Sequence, residues 1–250
     1  MVNRIINLIL SKIKDRRIYK EFRKEFNTFK EMCFEKNDNR FLIDWKDRNP
    51  QLNDRTPETG FSPQYIYHTA WAVQTLFSLR PKVHFDISST LYFIVAASAI
   101  CRIRFYDYRP APIRYNNIET GKADLINLPF GSNTINSLSC MHVIEHVGLG
   151  RYGDPLNPAG DLIAMAELKR VLAPGGTLLF VVPISGEPRI QFNAHRIYSY
   201  RQIVNQFSDF KIEDFLLIPD DAYTHGPIKN ASEALANAQK CAAGCFRFVK

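Results

Sequence analysis

The sequence contains no apolar stretch of the length a bilayer-crossing helix needs, even though 46% of its 250 residues are hydrophobic. That much apolar material points to a full core in one large domain with an extension. Paired cysteines are also missing: the five present (Cys33, Cys101, Cys140, Cys241, Cys245) are an odd number and include no CxxC. A disulfide framework therefore finds no support. The cysteines read as reduced core residues of a cytoplasmic protein, with Cys241 and Cys245 the one pair spaced to bond or share a metal. Positive charge is scarce outside the N-terminus. Of the net +7, residues 1–30 hold +6, with nine Lys/Arg against Asp15, Glu21 and Glu25, and the other 220 residues stand at +1. A body so close to neutral is not a nucleic-acid-binding surface. Charges also interrupt the first apolar residues, so a secretory signal is not expected there.

What is present begins with two amphipathic stripes. Ile5, Ile6, Ile9, Leu10 and Ile13 share one helical face. Ile18, Phe22, Phe26 and Phe29 form a second, rotated from the first near Asp15, with Arg16, Arg17, Lys20, Arg23 and Lys24 opposite. The pattern predicts two helices. Two roles stay open for them: packing on the domain or a partner subunit, or peripheral contact of residues 1–30 with an anionic membrane at its cytoplasmic face. The oligomeric state is not written in the pattern. A polar connector with Pro50, Pro57 and Gly60 follows, so residues 1–60 are expected to be a helical extension and 61–250 an α/β domain.

From residue 61 helices and strands alternate. "SPQYIYHTAWAVQTLFSLRP" predicts a helix with Ser62 as cap and Pro63 in its first turn. "KVHFDI" and "RIRFYDY" read as strands around the helix "SSTLYFIVAASAI", and "INSLSCMHV" as a central strand. "GDLIAMAELKRVLAPGG" predicts a helix with Leu162, Ala166, Leu168, Val171 and Leu172 inward, stopped at Pro174-Gly175-Gly176. "TLLFVVPI" is continuously apolar, as in a strand buried on both faces. A helix in "YSYRQIVNQF" and strands around "KIEDFLLI" and "CFRFVK" complete the set. This alternation predicts a doubly wound, mostly parallel seven-stranded α/β sheet with its ligand crevice at the carboxyl ends of the strands.

At one such end stands "SCMHVIEHVGLGRYGD", with His142, Glu145 and His146 at H-x-x-E-H spacing. On a continuous helix this would be an inverted zinc-protease motif. The flanks oppose that: a strand pattern precedes it, and Gly148, Gly150 and Gly153 follow within six residues. A strand, a short helical turn and a glycine-rich loop is the expected structure.

The run "SLSCMHVIEHVG…ELKRVLAPGGTLLFVVP", with "NAHRIYSYRQIVNQF" after it, resembles class I S-adenosylmethionine-dependent methyltransferases over roughly residues 80–215. The phrases "MHVIEHVGLGRYGDP" and "FNAHRI" resemble a methyltransferase-like branch, a domain of unknown function, associated with bacterial surface-polysaccharide genes. The resemblance implies a Rossmann-like fold, S-adenosylmethionine as cofactor, and O-methyl transfer to a saccharide or to its nucleotide-linked or lipid-linked precursor. It carries cofactor binding to Asp86, Ser88, Ser89, Asp107, Asp124 and Leu125. His142, Glu145, His146 and His195 become the candidate catalytic groups, since methyl transfer needs a base beside an aligned acceptor. Arg151, Tyr152, Asp154, Asn193 and Arg196 offer hydrogen bonds to an acceptor. A metal-free polar pocket is the expected state; a divalent metal on His142, Glu145, His146 and His195 is the alternative. One departure stands out. Where the family has a glycine-rich turn after the first strand, this chain reads Ile87-Ser88-Ser89-Thr90-Leu91. That absence equally suits a methyltransferase fold without methyl transfer, as a cofactor-independent sugar-modifying enzyme or a scaffold for glycan assembly.

Overall fold

The structure is a computed structural model that describes the backbone of residues 2–250 and the side chains of residues 16–250. It divides into two compact units, residues 1–60 and 61–250.

In the first unit a single helix, α1 (Val2–Glu35), replaces the two predicted ones. The rotation between the stripes does not break it, because no glycine or proline lies in residues 1–36. The side chains of the stripe Ile5, Ile6, Ile9, Leu10 and Ile13 lie outside those described. Phe22 and Phe26 of the second stripe pack on Trp45, with ring centroids 5.8 and 5.0 Å away, and Tyr19 joins at 6.4 Å. The connector thus folds back on the helix and covers part of its aromatic face, while Phe29 stays 59% exposed. No helix among the described residues is long and apolar enough to cross a membrane.

The second unit is built on an eight-stranded sheet. Its strands are β1 (Val83–Ile87), β2 (Arg102–Asp107), β3 (Ile118–Lys122), β4 (Ile135–Met141), β5 (Leu172–Ile184), β8 (Lys211–Ile218), β9 (Ile228–Lys229) and β10 (Ala242–Val249). Their order is β3-β2-β1-β4-β5-β10-β8-β9. The first five run parallel, and β10, β8 and β9 pair antiparallel. The eighth strand, against seven expected, is the two-residue β9 on the edge. β6 (Arg189–Gln191) and β7 (His195–Ile197) form a separate hairpin. β5 alternates between two cores: Leu178, Phe180 and Val182 face one cluster, Leu179 and Val181 the other.

Helices cover both faces. α2 (Pro63–Leu79) and α3 (Leu91–Ala97) supply Trp71, Leu76, Phe93 and Ile94 to one cluster. α4 (Gly160–Val171) and α5 (Tyr200–Gln206) supply Met165, Leu168 and Ile203 to the other. Ser62 occupies the N-cap of α2 without a side-chain hydrogen bond, whereas Ser199 closes a full capping box on α5. Two local expectations are corrected. The inward stripe of α4 is Ala164, Met165, Leu168 and Val171; Leu162 and Ala166 are exposed. α4 ends at Val171 and passes directly into β5, so Pro174-Gly175-Gly176 lies within the strand. α3 is capped by Thr90, whose hydroxyl accepts from the Tyr92 N–H. All five cysteines are free; Cys101, Cys140 and Cys245 are buried.

Candidate active site

The parallel strands β1, β2 and β4 end on one side, and β1 sits where the order reverses, so the chain leaves β2 and β4 in opposite senses and opens a crevice. A cleft of about 240 Å³ lies there. Ser88 follows β1, Asp107 ends β2, Asp124 and Leu125 follow β3, and His142 follows β4, and all of them line it. Val143, His146, Tyr152 and Asp154 close the other wall, while Tyr108 and Arg109 flank its mouth.

The turn after β1 rests on a buried polar chain. His84 is 0% exposed, and burial holds its pKa at about 3, so it is uncharged. It bonds Ser137 through Nδ1 at 2.7 Å and Ser139 through Nε2 at 2.8 Å. The Ser139 hydroxyl donates to Asp86 Oδ2, and Asp86 Oδ1 accepts from the Ser89 N–H at 3.0 Å. Burial pushes the Asp86 carboxyl up to about 6 against those hydrogen bonds. Ser89 Oγ in turn accepts from the Met141 N–H at 3.1 Å. Asp86 and Ser89 are therefore buried braces of the turn and are not among the residues that line the cleft. Ser88 alone faces it, at φ +59°. The backbone there holds the left-handed conformation a glycine would take, with a serine in its place.

Asp107 and Asp124 each commit one carboxylate oxygen to a backbone N–H, Arg109 at 2.7 Å and Ile126 at 3.1 Å. The other oxygen of each stays uncommitted beside the cleft. After β4 the chain enters a 3-10 turn, Ile144–His146, and then the glycine loop, so no continuous helix carries the H-x-x-E-H string. A Cβ on Gly148 would run into the Asn157 carbonyl at φ +79°, which makes glycine a requirement there.

That turn sets His142 over Glu145. The His142 Nδ1–H donates to Glu145 Oε1 at 3.0 Å, which in the neutral ring leaves Nε2 as a bare acceptor. Glu145 is 1% exposed and lies beneath the cleft, not in its wall. His146 donates its Nδ1–H to the Ala194 carbonyl at 2.6 Å, and burial lowers its pKa. His195, on the hairpin beside it, has its pKa lowered by burial as well. The two rings stand 6.4 Å apart. Sequence reasoning missed one member of this group. His68 of α2, 0% exposed, packs its ring 5.1 Å from that of His142. Its Nδ1–H donates to the Gln64 carbonyl, and burial holds its pKa at about 3. One hint lies in the sequence, the i, i+3 pair Tyr65 and His68, and the Tyr65 ring packs at a tilt against both rings, 5.5 Å from His68 and 5.8 Å from His142. His68 Nε2, His142 Nε2, Glu145 Oε2 and His195 Nε2 are all buried without a hydrogen-bond partner.

The alternative metal tetrad is not assembled. Glu145 lies on the Nδ1 side of His142, away from its bare nitrogen. Among the described residues no group of three or more His, Cys, Asp or Glu side chains is placed to hold a metal ion. Two expected acceptor contacts are also braces. Arg196, 5% exposed, donates to the Val147 carbonyl at 2.6 Å and to the Pro158 carbonyl at 3.3 Å, and pairs with Asp161 at 3.6 Å. Asp154 accepts from the N–H groups of Gly148, Gly150 and Tyr152. Burial opposes its charge, but those donors together hold its pKa below the usual range. Arg151 and Tyr152 are exposed at the mouth, and Asn193 is exposed in the β6–β7 turn outside the cleft lining.

Residues 129–217 match the family described as "Caenorhabditis protein of unknown function, DUF268". No curated protein matches the sequence. Among solved structures the chain is similar to the YcgJ protein of Bacillus subtilis, at 15% identity and TM-score 0.51 over 74% of this chain and 98% of that one. It is similar to the N-methyltransferase NodS of Bradyrhizobium japonicum, in complex with S-adenosylhomocysteine, at 14% identity and TM-score 0.51 over 82% and 93%. A third likeness is the 1,6-didemethyltoxoflavin-N1-methyltransferase of Burkholderia thailandensis with S-adenosylhomocysteine bound, at 14% identity and TM-score 0.51 over 93% and 90%. The fold is similar to the Rossmann-like fold of these methyltransferases.

Proposed function

We propose that the chain is an S-adenosylmethionine-dependent O-methyltransferase acting on a saccharide or glycan precursor, as in surface-polysaccharide assembly. The observation that carries this reading is the convergence of Asp107, Asp124 and His142 on one cleft at the strand ends. The residues present fit the cofactor. Asp107 has an uncommitted oxygen for ribose hydroxyls, Asp124 has one for the adenine amino group, and Leu125 and Tyr108 offer apolar surface to the ring. The backbone at Ser88 already holds the conformation that lets a ligand approach. When bound, the cofactor supplies an electrophilic methyl group.

The chain's own residues do the rest. Glu145 fixes the tautomer and direction of His142, which leaves its buried, unpartnered Nε2 to take the proton of an acceptor hydroxyl once the acceptor displaces the packing over that nitrogen. His146 lines the same cleft, and burial lowers its pKa, which favours the ring as a further proton acceptor. The basic face of residues 16–24 suits an acceptor held at an anionic membrane from the cytoplasmic side. One observation favours a second reading, a methyltransferase fold without methyl transfer: the side chain of Ser88 stands in the cleft wall where the family has glycine. Incubation with methyl-labelled S-adenosylmethionine and saccharide precursors separates the two. Label in the saccharide fraction, lost in His142→Gln, supports the first; no transfer to any fraction by wild type supports the second.

A further inference from the structure

At the mouth of the cleft Tyr152 acts as a platform for two cations. The Arg109 guanidinium lies 4.7 Å from the centre of its ring and that of Arg151 lies 5.1 Å away. Arg109 comes from the loop after β2 and Arg151 from the glycine loop after β4, so two separate segments bring charge to one ring. The Tyr152 ring is itself fixed, edge-on to His146 at 5.7 Å. Among the described residues neither guanidinium forms an ion pair. Arg151 donates from one terminal nitrogen to the Ala194 carbonyl at 2.9 Å, the same nitrogen standing 3.3 Å from His146 Nδ1, while its other two nitrogens have no partner among the described residues. Asp154 accepts three backbone N–H groups and Asp107 the N–H of Arg109, and neither carboxylate stands within ion-pair distance of either guanidinium. Two guanidiniums without an ion-pair partner, both set against one aromatic ring, bring two groups of charged donors to the same rim, where an anion with several oxygens can take them.

We propose that Arg109, Arg151 and Tyr152 form a clamp for a phosphate or diphosphate group on the acceptor. The clamp rests on the methyltransferase reading only in calling its ligand the acceptor; anion binding itself does not depend on it. Aromatic stacking presets both arginines, so less side-chain freedom is lost when the anion arrives. The acceptor would then enter with its phosphate at the rim and its sugar toward His142.

The test is calorimetric titration of the full chain with inorganic pyrophosphate at low salt, repeated with inorganic phosphate to separate a diphosphate from a monoester. Wild type is expected to bind pyrophosphate at a single site. Arg109→Ala and Arg151→Ala should each weaken it by about tenfold or more, with unchanged melting curves, and Arg109→Lys should restore part of it. Because residues 1–30 are also basic, binding that persists in both alanine variants would place the anion elsewhere and overturn the clamp. No binding by wild type overturns it as well. A parallel titration with S-adenosylhomocysteine tests the methyltransferase reading separately. Simultaneous binding of the two ligands is expected, and mutual exclusion would put the anion in the cofactor's half and overturn the acceptor assignment.

Discussion

Arg196 provides a demanding test because its buried position argues for a role that its sequence context did not suggest. Its side chain is 7% exposed, as is most of Asp161 at 8%, and it ties two loop carbonyls, Val147 and Pro158, to the start of α4. Arg196→Met keeps much of the apolar stem and removes the charge. It leaves Asp161 buried with only the Tyr198 hydroxyl at 3.0 Å, and strands the carbonyls. Breaking a buried pair on one side typically destabilises by about 3–5 kcal/mol, and the 3.6 Å separation argues for the lower end. For a domain of this size that is a melting-temperature drop of roughly 6–12 °C. Adding Asp161→Asn should recover part of the loss, since the orphaned charge is gone, but not the carbonyl bonds. Circular dichroism melts of the two variants decide it. S-adenosylhomocysteine binding measured below the melt should stay close to wild type, because Arg196 does not line the cleft. A melting temperature unchanged by Arg196→Met would refute the bracing role.

Other outcomes follow from the same geometry. Asp107→Ala should weaken S-adenosylhomocysteine binding by about 1–3 kcal/mol through lost hydrogen bonds to a charged group, read by calorimetry; retained affinity would remove Asp107 from the cofactor site. Ser88→Gly relieves a left-handed serine while freeing the unfolded chain, so stability should move by less than about 1 kcal/mol. Cofactor affinity should hold or rise, and a fall would show that the Ser88 hydroxyl is a contact. The buried histidines set the acid limb of stability. His68 and His84 have folded pKa values of about 3, below the usual 6.5, so the unfolded chain binds protons first. Stability present above pH 6.5 is therefore lost as pH falls, by about 2 kcal/mol for each histidine at pH 5. Asp86, raised to about 6 from 3.8, acts the other way and returns about 1 kcal/mol over the same interval. Denaturant titrations at pH 7 and pH 5 should show the net loss, and His84→Gln should flatten it.

The sequence disclosed the elements whose physics is local. "TLLFVVPI" could be nothing but a central strand, and Ser199 with Gln202 announced the start of α5. β3 escaped because "IETGK" is an outer strand with a polar, mostly exposed pattern and no apolar period. α1 was divided in two because a rotating stripe was taken for a break, although no residue there interrupts a helix. At the site, Asp107, Asp124, Leu125, His142 and His146, all at or just past strand ends, line the cleft. The bracing roles of Arg196 and Asp154 are not legible in the sequence, because both take their partners from backbone groups that only the folded loop supplies. His68 was hidden for the opposite reason: one histidine in an apolar helix face reads as core until β4 delivers His142 against it.

The central claim is that a serine-lined turn, held by Asp86 and presented at positive φ, still leaves a cofactor site beside Asp107 and Asp124. Calorimetric titration of the purified full chain with S-adenosylhomocysteine tests it most directly. A single site of about micromolar affinity, weakened in Asp107→Ala, is the predicted result. No heat and no thermal shift at millimolar ligand, from a chain that melts cooperatively, would contradict it.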